Sequence, residues 1–345
     1  MLDFDGYVAN KTIFAASNGY CGFKSIFDKV LTNKTIERIF ILKGGPGTGK
    51  SSIMKAAIKY ANKAGIYAEE ILCSSDPYSL DGVILTDGEK SVAIFDGTSP
   101  HIMDPIYPGA RDEIINLGES FNVSHLKKYR HKIIDFSEKK KECYENAYHY
   151  LRLAGEVRAF IDAKYEKIVE TDKLDEFVNS ILQSFKANED AENTVYYYIS
   201  AFCKDGLVRS EARGYENKEV CRLFGNGYTE YLVMNKLLNK LNGKVFAYCP
   251  TPLTDKKIEA IHTSDILFIT DERDGIDTRV VLRENLNLSE ENEIYQSFLT
   301  LAKNEFNKAA IHHFALEDIY KNGMHFENNE RIFNKLIRDI ESELI

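Results

Sequence analysis

Long hydrophobic runs are missing from this 345-residue sequence, and no apolar stretch approaches the length of a membrane span. The opening residues MLDFDGYVANK lack a basic region followed by an apolar stretch, so no secretory leader is expected. Cysteine pairing at C-x-x-C spacing is missing too. The six cysteines, at 21, 73, 143, 203, 221 and 249, are scattered, which argues against a zinc site and a disulfide framework. There is no excess of positive charge: 44 Lys and Arg stand against 53 Asp and Glu, a net charge of −9 that disfavours a general nucleic-acid binder. Two basic clusters, 127–132 and 139–141, lie in helical, Glu-containing sequence and read as solvated helix faces. A cytoplasmic location with reduced thiols is expected, and the 44% hydrophobic content is enough for a substantial core.

What is present is Gly44-Gly45-Pro46-Gly47-Thr48-Gly49-Lys50-Ser51, which satisfies the phosphate-loop pattern G-x-x-x-x-G-K-[ST] without a mismatch. The apolar run Ile39-Phe40-Ile41-Leu42 precedes it, as a buried parallel strand would. Ile53, Ala57 and Ala61 follow at helical spacing, and Gly65 is a plausible stop. Glycines at 44, 45, 47 and 49 let backbone N–H groups curl around phosphate oxygens, and the helix start adds its positive dipole end. In that pattern Lys50 reaches the outer phosphates and the Ser51 hydroxyl ligates Mg²⁺, with Ser52 closing the loop. The expected ligands are therefore ATP, or another nucleoside triphosphate, and Mg²⁺.

Asp96 ends the apolar strand Val92-Ala93-Ile94-Phe95-Asp96 in the form of a Walker B strand, whose carboxylate holds the metal. Many ATPases carry a glutamate directly after it, but here Gly97 follows. Candidate replacements for the base are Asp76, in the turn Ser74-Ser75-Asp76-Pro77, and His101, just past the Walker B strand. Asp81 is a further carboxylate nearby. Thr98 and Ser99 stand where phosphate or water could be contacted. Arg111 could neutralise transition-state charge or form a helix-start salt bridge with Asp112 or Glu113.

The chain also repeats itself. Ile13-Phe14, Asn18-Gly19-Tyr20 and Lys29-Val30-Leu31 pair with Leu223-Phe224, Asn226-Gly227-Tyr228 and Lys236-Leu237-Leu238. The stretch into Cys73 pairs with Val245-Phe246-Ala247-Tyr248-Cys249, and 92–96 with Leu267-Phe268-Ile269-Thr270-Asp271. The separation shortens between these matches by about the length of 32–64. The second copy is therefore expected to have lost the strand, loop and helix of the phosphate site, leaving Asp271-Glu272 as a relic Walker B pair. Charged helical hairpins close both copies, at 143–182 and 294–340, and 188–193 is a candidate linker. Expected units are 1–190, a P-loop nucleotide-binding unit with its hairpin, and 191–345, a degenerate second α/β repeat. The expected class is α/β, a P-loop NTPase fold with a mostly parallel sheet and helical hairpin insertions.

In 41–52, 73–84, 96–101 and 104–119, and more faintly in 316–327, the sequence resembles a family of uncharacterised bacterial ATP-binding P-loop proteins with two tandem P-loop units. The resemblance implies ATP and Mg²⁺ and supplies no pathway; the chain departs from it in lacking a second P-loop. Three functions remain open: an ATPase coupled to an unknown partner, a small-molecule or nucleotide kinase with Asp76 as base, and an ATP-bound switch without turnover. No Arg-rich lid is clear, and no guanine motif N-K-x-D is evident.

Overall fold

The computed structural model describes residues 7–28, 36–185, 195–210, 217–241, 245–248, 257–263, 265–271 and 274–344. The first half begins with β1 (Lys11–Phe14), the hairpin β2 (Ala16–Gly19) and β3 (Gly22–Ser25), and β4 (Ile36–Lys43). Helix α1 (Lys50–Ala64) follows, then β5 (Tyr67–Leu72), β6 (Leu80–Thr86), β7 (Ser91–Asp96) and β8 (Asp112–Asn116). A 3-10 turn at Leu117–Ser120 leads into α2 (Val123–Lys128), the long α3 (Arg130–Glu166) and α4 (Thr171–Phe185).

The second half repeats this order. It runs β9 (Val195–Tyr198), the hairpin β10 (Ser200–Cys203) and β11 (Gly206–Arg209), β12 (Glu219–Phe224) and α5 (Thr229–Lys240). Next come β13 (Val245–Tyr248), β14 (Ile258–His262), β15 (Ile266–Thr270), the short β16 (Ile276–Asp277) and a 3-10 turn at Thr278–Val281. The long α6 (Ser289–Lys321) and α7 (Phe326–Leu344) complete it.

The strands form a twelve-stranded sheet in the order β16-β12-β15-β14-β13-β9-β1-β5-β6-β7-β4-β8. Read outward from the centre, both halves have the same sequence of strands. They meet at one antiparallel residue pair, Phe14 with Tyr198. The sheet is mixed rather than mostly parallel, because β6 and β14 run against both their neighbours. The short link from Thr86 to Ser91 accounts for this, since a hairpin fits there and a parallel crossover does not. The Asp87 carboxylate caps that hairpin, accepting from the N–H groups of Glu89 and Lys90 at 2.8 Å.

Strand β4 is apolar throughout its centre because both faces are covered. Phe40 and Leu42 point into a core with Ile53, Met54 and Ile58 of α1, while Ile39 and Ile41 point into the opposite core with Phe27 and Phe95. Helix α1 stops at Gly65 (φ 71), where the Ile66 N–H reaches back to Ala61 O at 2.9 Å.

The second half has not lost the strand and helix that flank the glycine loop in the first, contrary to the sequence expectation. β12 pairs with β15 and β16 as β4 pairs with β7 and β8, and α5 follows it as α1 follows β4. Asn18-Gly19 belongs to the β2–β3 hairpin, whereas Asn226-Gly227-Tyr228 forms the loop before α5, so the resemblance between those segments is not structural equivalence. What shortened is the loop, Gly225–Tyr228 against Gly44–Gly49. The candidate linker 188–193 lies outside the described residues.

The helical hairpins are exchanged between the halves. α3 and α6 lie antiparallel: Lys140 meets His313 at one end, Tyr144 and Tyr148 pack on Phe306 in the middle, and Lys164 pairs with Glu291 at the other end. α4 of the first half buries Leu174, Val178 and Ile181 in the core of the second. α7 of the second half buries Leu336, Ile340 and Leu344 in the core of the first. The turn of each hairpin is pinned by a single β-bridge, Val169 with Leu282 and Met324 with Phe121. No described helix is long and apolar enough to cross a membrane.

Burial of α7 predicts that Ile340→Ala, although near the C-terminus, lowers unfolding free energy by about 2–5 kcal/mol. Urea denaturation measures this, and a loss below about 1 kcal/mol would mean that α7 is not part of the first core.

Candidate functional site

The loop between β4 and α1 holds Gly47 at φ 70 and Gly49 at φ 90, conformations that non-glycine side chains rarely adopt. Gly49 takes the N-cap position without a side-chain cap, and no acidic residue occupies the first turn of α1. The first amides of α1 therefore keep their positive dipole end unneutralised. Gly44 packs against Thr48, whose hydroxyl donates to Gly45 O at 2.8 Å. Pro46 lies at the turn between them.

Lys50, the first residue of α1, folds back over the loop. Its Nζ donates to Gly44 O (3.0 Å) and Gly45 O (2.9 Å) and stands 3.6 Å from Asp96 Oδ2. The loop lysine and the strand-end carboxylate expected from sequence are thus neighbours. Asp96 Oδ1 accepts from the Thr98 N–H at 2.8 Å and the Thr98 hydroxyl at 2.5 Å, leaving Oδ2 toward Lys50. Burial pushes the Asp96 pKa up, against the opposing pull of Lys50 and Thr98. Ser51 Oγ accepts from the Leu80 N–H at 3.0 Å, and Ser52 is half-buried beside it on α1.

Gly97 has a structural reason. A Cβ there would collide with Ile41 Cγ2, while the Gly97 N–H pairs with Leu42 O at 3.0 Å. A glutamate after Asp96 has no room on this sheet edge.

Among the other candidates, the structure joins Asp81 and His101 rather than Asp76. His101 Nε2 lies 2.8 Å from Asp81 Oδ2, both side chains are about 94% buried, and both carboxylates, Asp81 and Asp96, act on the His101 charge. Burial lowers the His101 pKa, but the charge and hydrogen bond of Asp81, with Asp96 behind, outweigh it and leave it raised. The rings of Phe23 and Phe27 pack edge-on against the imidazole. Asp76 is turned to Lys204 of the second half, 3.7 Å away, and its carbonyl closes the turn by accepting from the Ser79 N–H. Ser99 is exposed, and Thr98 serves as the cap on Asp96. Arg111 pairs with Asp112 at 2.6 Å, but Asp112 opens a strand instead of a helix, and its carboxylate ties down the Ile106 and Tyr107 amides.

A roof from the long helices was not legible in the sequence. The Glu317 carbonyl lies 2.8 Å from where a Gly47 Cβ would sit, and the Tyr320 ring 2.9 Å from that of Gly45. Asn329 of α7, nearly fully buried, donates to Thr48 O at 2.9 Å and accepts from the Ser120 hydroxyl at 2.9 Å. The only local signal was His313, Glu317 and Lys321 at i, i+4 spacing, which reads as a surface ion-pair ladder. Lys140, expected on a solvated face, is half-buried instead.

The counterpart loop, Gly225–Tyr228, is closed by its own helix. Glu230 in the first turn of α5 accepts from the Gly227 N–H at 2.9 Å and the Asn226 N–H at 3.1 Å. Arg158 of α3 donates to Asn226 O at 3.2 Å, so this loop too is roofed by the opposite half's long helix. Register sets Thr270, not Asp271, opposite Leu223, as Asp96 is opposite Leu42. The expected relic Walker B residue is therefore one position out, and Asp271 pairs with Arg222 at 3.1 Å. Glu272 lies outside the described residues.

Two outcomes are expected. Glu230→Ala strands buried loop amides and should cost about 1–3 kcal/mol by denaturant titration, with an unchanged midpoint speaking against the closed loop. The His101 pKa is raised on folding, so the His101–Asp81 pair stabilises fully below the ordinary value near 6.5 and loses that contribution as pH rises through the higher folded value. The wild-type protein should therefore lose stability relative to His101→Gln as pH rises above about 6.5. Parallel denaturation curves across that range would refute it.

No family model, no curated protein and no solved structure matches this chain.

Proposed function

We propose that the protein binds a nucleoside triphosphate with Mg²⁺ on the loop Gly44–Ser52 and hydrolyses it, with ATP the nucleotide expected. The observation that carries this reading is the contrast between the two loops. One has left-handed glycines, an uncapped helix start and a lysine held only by carbonyl oxygens and Asp96; the other is filled by its own glutamate. The first arrangement suits an anion with many oxygens, since amides, dipole and ammonium converge without an internal acceptor competing for the helix start.

The residues also fit a magnesium ion. Ser51 offers a hydroxyl and Asp96 a carboxylate beside Lys50, a hard-oxygen pair of the kind Mg²⁺ takes together with phosphate oxygens. When bound, Mg²⁺ supplies charge neutralisation on the phosphates. Lys50 would exchange its carbonyl partners for phosphate oxygen. The Asp81–His101 pair, which senses the Asp96 charge, would hold a proton at the imidazole beside the strand ends. With Gly97 excluding a glutamate, water would be oriented without the usual base, which implies slow turnover.

Transfer to a small-molecule acceptor is the second reading. It is favoured by a cavity of about 310 Å³ beside His101, lined by Phe27, Ile41, Met103 and Arg111. Acceptor-dependent appearance of ADP distinguishes it from hydrolysis. The resemblance to bacterial tandem P-loop proteins supports the choice of ATP and rests on the motifs alone.

The test is Mg²⁺-dependent phosphate release from ATP beside equilibrium dialysis of labelled ATP, with Lys50→Ala as the comparison. Loss of turnover by about 100-fold or more in the variant is expected. Binding without turnover in the native protein would leave the switch reading, and absence of binding would overturn the nucleotide site altogether.

A further inference from the structure

Lys140 lies on α3 where it meets α6, and its Nζ stands 3.4 Å from His313 Nδ1. An ammonium can only donate, so Nδ1 accepts and the ring proton sits on Nε2, which faces the Glu317 carboxylate at 3.6 Å. Lys321 donates to Glu317 from the other side at 2.8 Å, and the Glu317 main chain lies against Gly47. A continuous polar chain therefore runs from Lys140 to the glycine loop. Hydrogen bonding by His313 leads, and that by Lys321 adds, in holding Glu317 down to about 2, so the acid is ionised and already matched by its own partners.

The face of α3 that carries Lys140 looks toward the strand ends. Tyr144 is one turn further on, within reach of Ser75. Tyr148, the next, donates to Asn18 Oδ1 at 2.8 Å. Burial lowers the pKa of Lys140, Cys73 opposes that, and the charge of Lys50 adds to the lowering. Arg111, the other cation that the sequence suggested, is engaged by Asp112.

Phosphoryl transfer spreads negative charge over several oxygens, and one lysine on one side matches only part of it. We infer that Lys140 is a further catalytic residue of this site, a cation delivered by α3 onto the terminal phosphate of the bound triphosphate, with His313 as its positioning residue. The inference rests on the triphosphate reading above. In the hydrolysis, water oxygen bonds to the terminal phosphorus while the bridging P–O bond breaks, its electron pair leaving on the nucleoside diphosphate. The proton of water passes to solvent, and Lys140 takes no part in proton transfer.

The experiment combines three readouts on the full chain with Mg²⁺ and ATP: phosphate release at saturating ATP, ATP affinity by equilibrium dialysis, and acetylation of Lys140 by acetic anhydride followed by mass spectrometry. Lys140→Met should lower turnover by about 100-fold with affinity changed only a few-fold, while Lys140→Arg keeps most of the activity. His313→Ala should fall between them. In the native protein Mg²⁺–ATP should protect Lys140 from acetylation. Full turnover in Lys140→Met beside an inactive Lys50→Ala overturns the inference, as does unprotected Lys140 at saturating ATP. If ATP binds without turnover, protection alone decides the role of Lys140. If dialysis shows no binding, the triphosphate reading has failed and the inference falls with it.

Discussion

The exchange of helical hairpins between the two halves is the constraint on which everything else depends. α3 and α6 lie antiparallel, and each carries its partner helix past the sheet's midline into the opposite core. Neither half closes its own hydrophobic core: α1 leaves the layer over Phe40 and Val92 incomplete until Leu336 and Ile340 arrive, and α5 leaves its own layer incomplete until Val178 and Ile181 arrive. By contrast, strand pairing between the sheet halves is limited to a single residue pair, although Ile13 and Phe14 share one core with Tyr197, Ala260 and Leu267. Continuity of the molecule rests on helix packing more than on strand pairing, and burying these side chains stabilises each half at about 25 cal/mol per Å² of apolar surface.

The same scaffold carries two loops of opposite electrostatic character. Helix α1 begins without an acidic residue, so its amides and Lys50 leave a positive concavity. Helix α5 begins with Glu230, and the carboxylate satisfies the loop amides from within. Loop length decides which is possible. In the shorter Gly225–Tyr228 loop a Cβ at Gly225 would strike Thr278 and Thr229, so the chain is already drawn tight around its own side chains. Thr270 in the position of Asp96 removes the strand-end carboxylate as well. The two changes agree: a loop that has closed on its own carboxylate has no use for an acid at the strand end.

Local signals were legible, and assembled ones were not. The strand, glycine loop and helix from Ile36 to Ala64 follow from apolar runs, helical spacing and Gly65, because each depends on near neighbours in sequence. The closeness of Lys50 and Asp96 followed from the motif pair. The mostly parallel sheet expected from the sequence gives way at β6, where a short turn at Asp87 forces reversal. The duplication was visible, yet its alignment slipped: Asn-Gly-Tyr recurs in a hairpin and in a loop, and only the pairing of β12 with β15 and β16 reveals the equivalence. Sequence gives no sign that His101, across the sheet edge, meets Asp81 rather than Asp76. Lys140 and Glu317 were hidden for a similar reason, since charge runs on long helices look alike whether they face water or another half of the protein.

Close contact between the loop and the roof has a geometric consequence. A Cβ at Gly45 would sit 2.9 Å from the Tyr320 ring, and one at Gly47 would sit 2.8 Å from the Glu317 carbonyl. The glycines thus satisfy two demands at once, backbone conformation within the loop and approach of a helix from the other half. The first is set by φ at Gly47 and Gly49, and the second by an α6 whose far end is tied through Glu291 to Lys164. Loop shape and helix position are therefore not independent. A side chain added at Gly45 displaces Tyr320, and with it the end of α6 that carries Glu317, even where the loop backbone itself would tolerate the change.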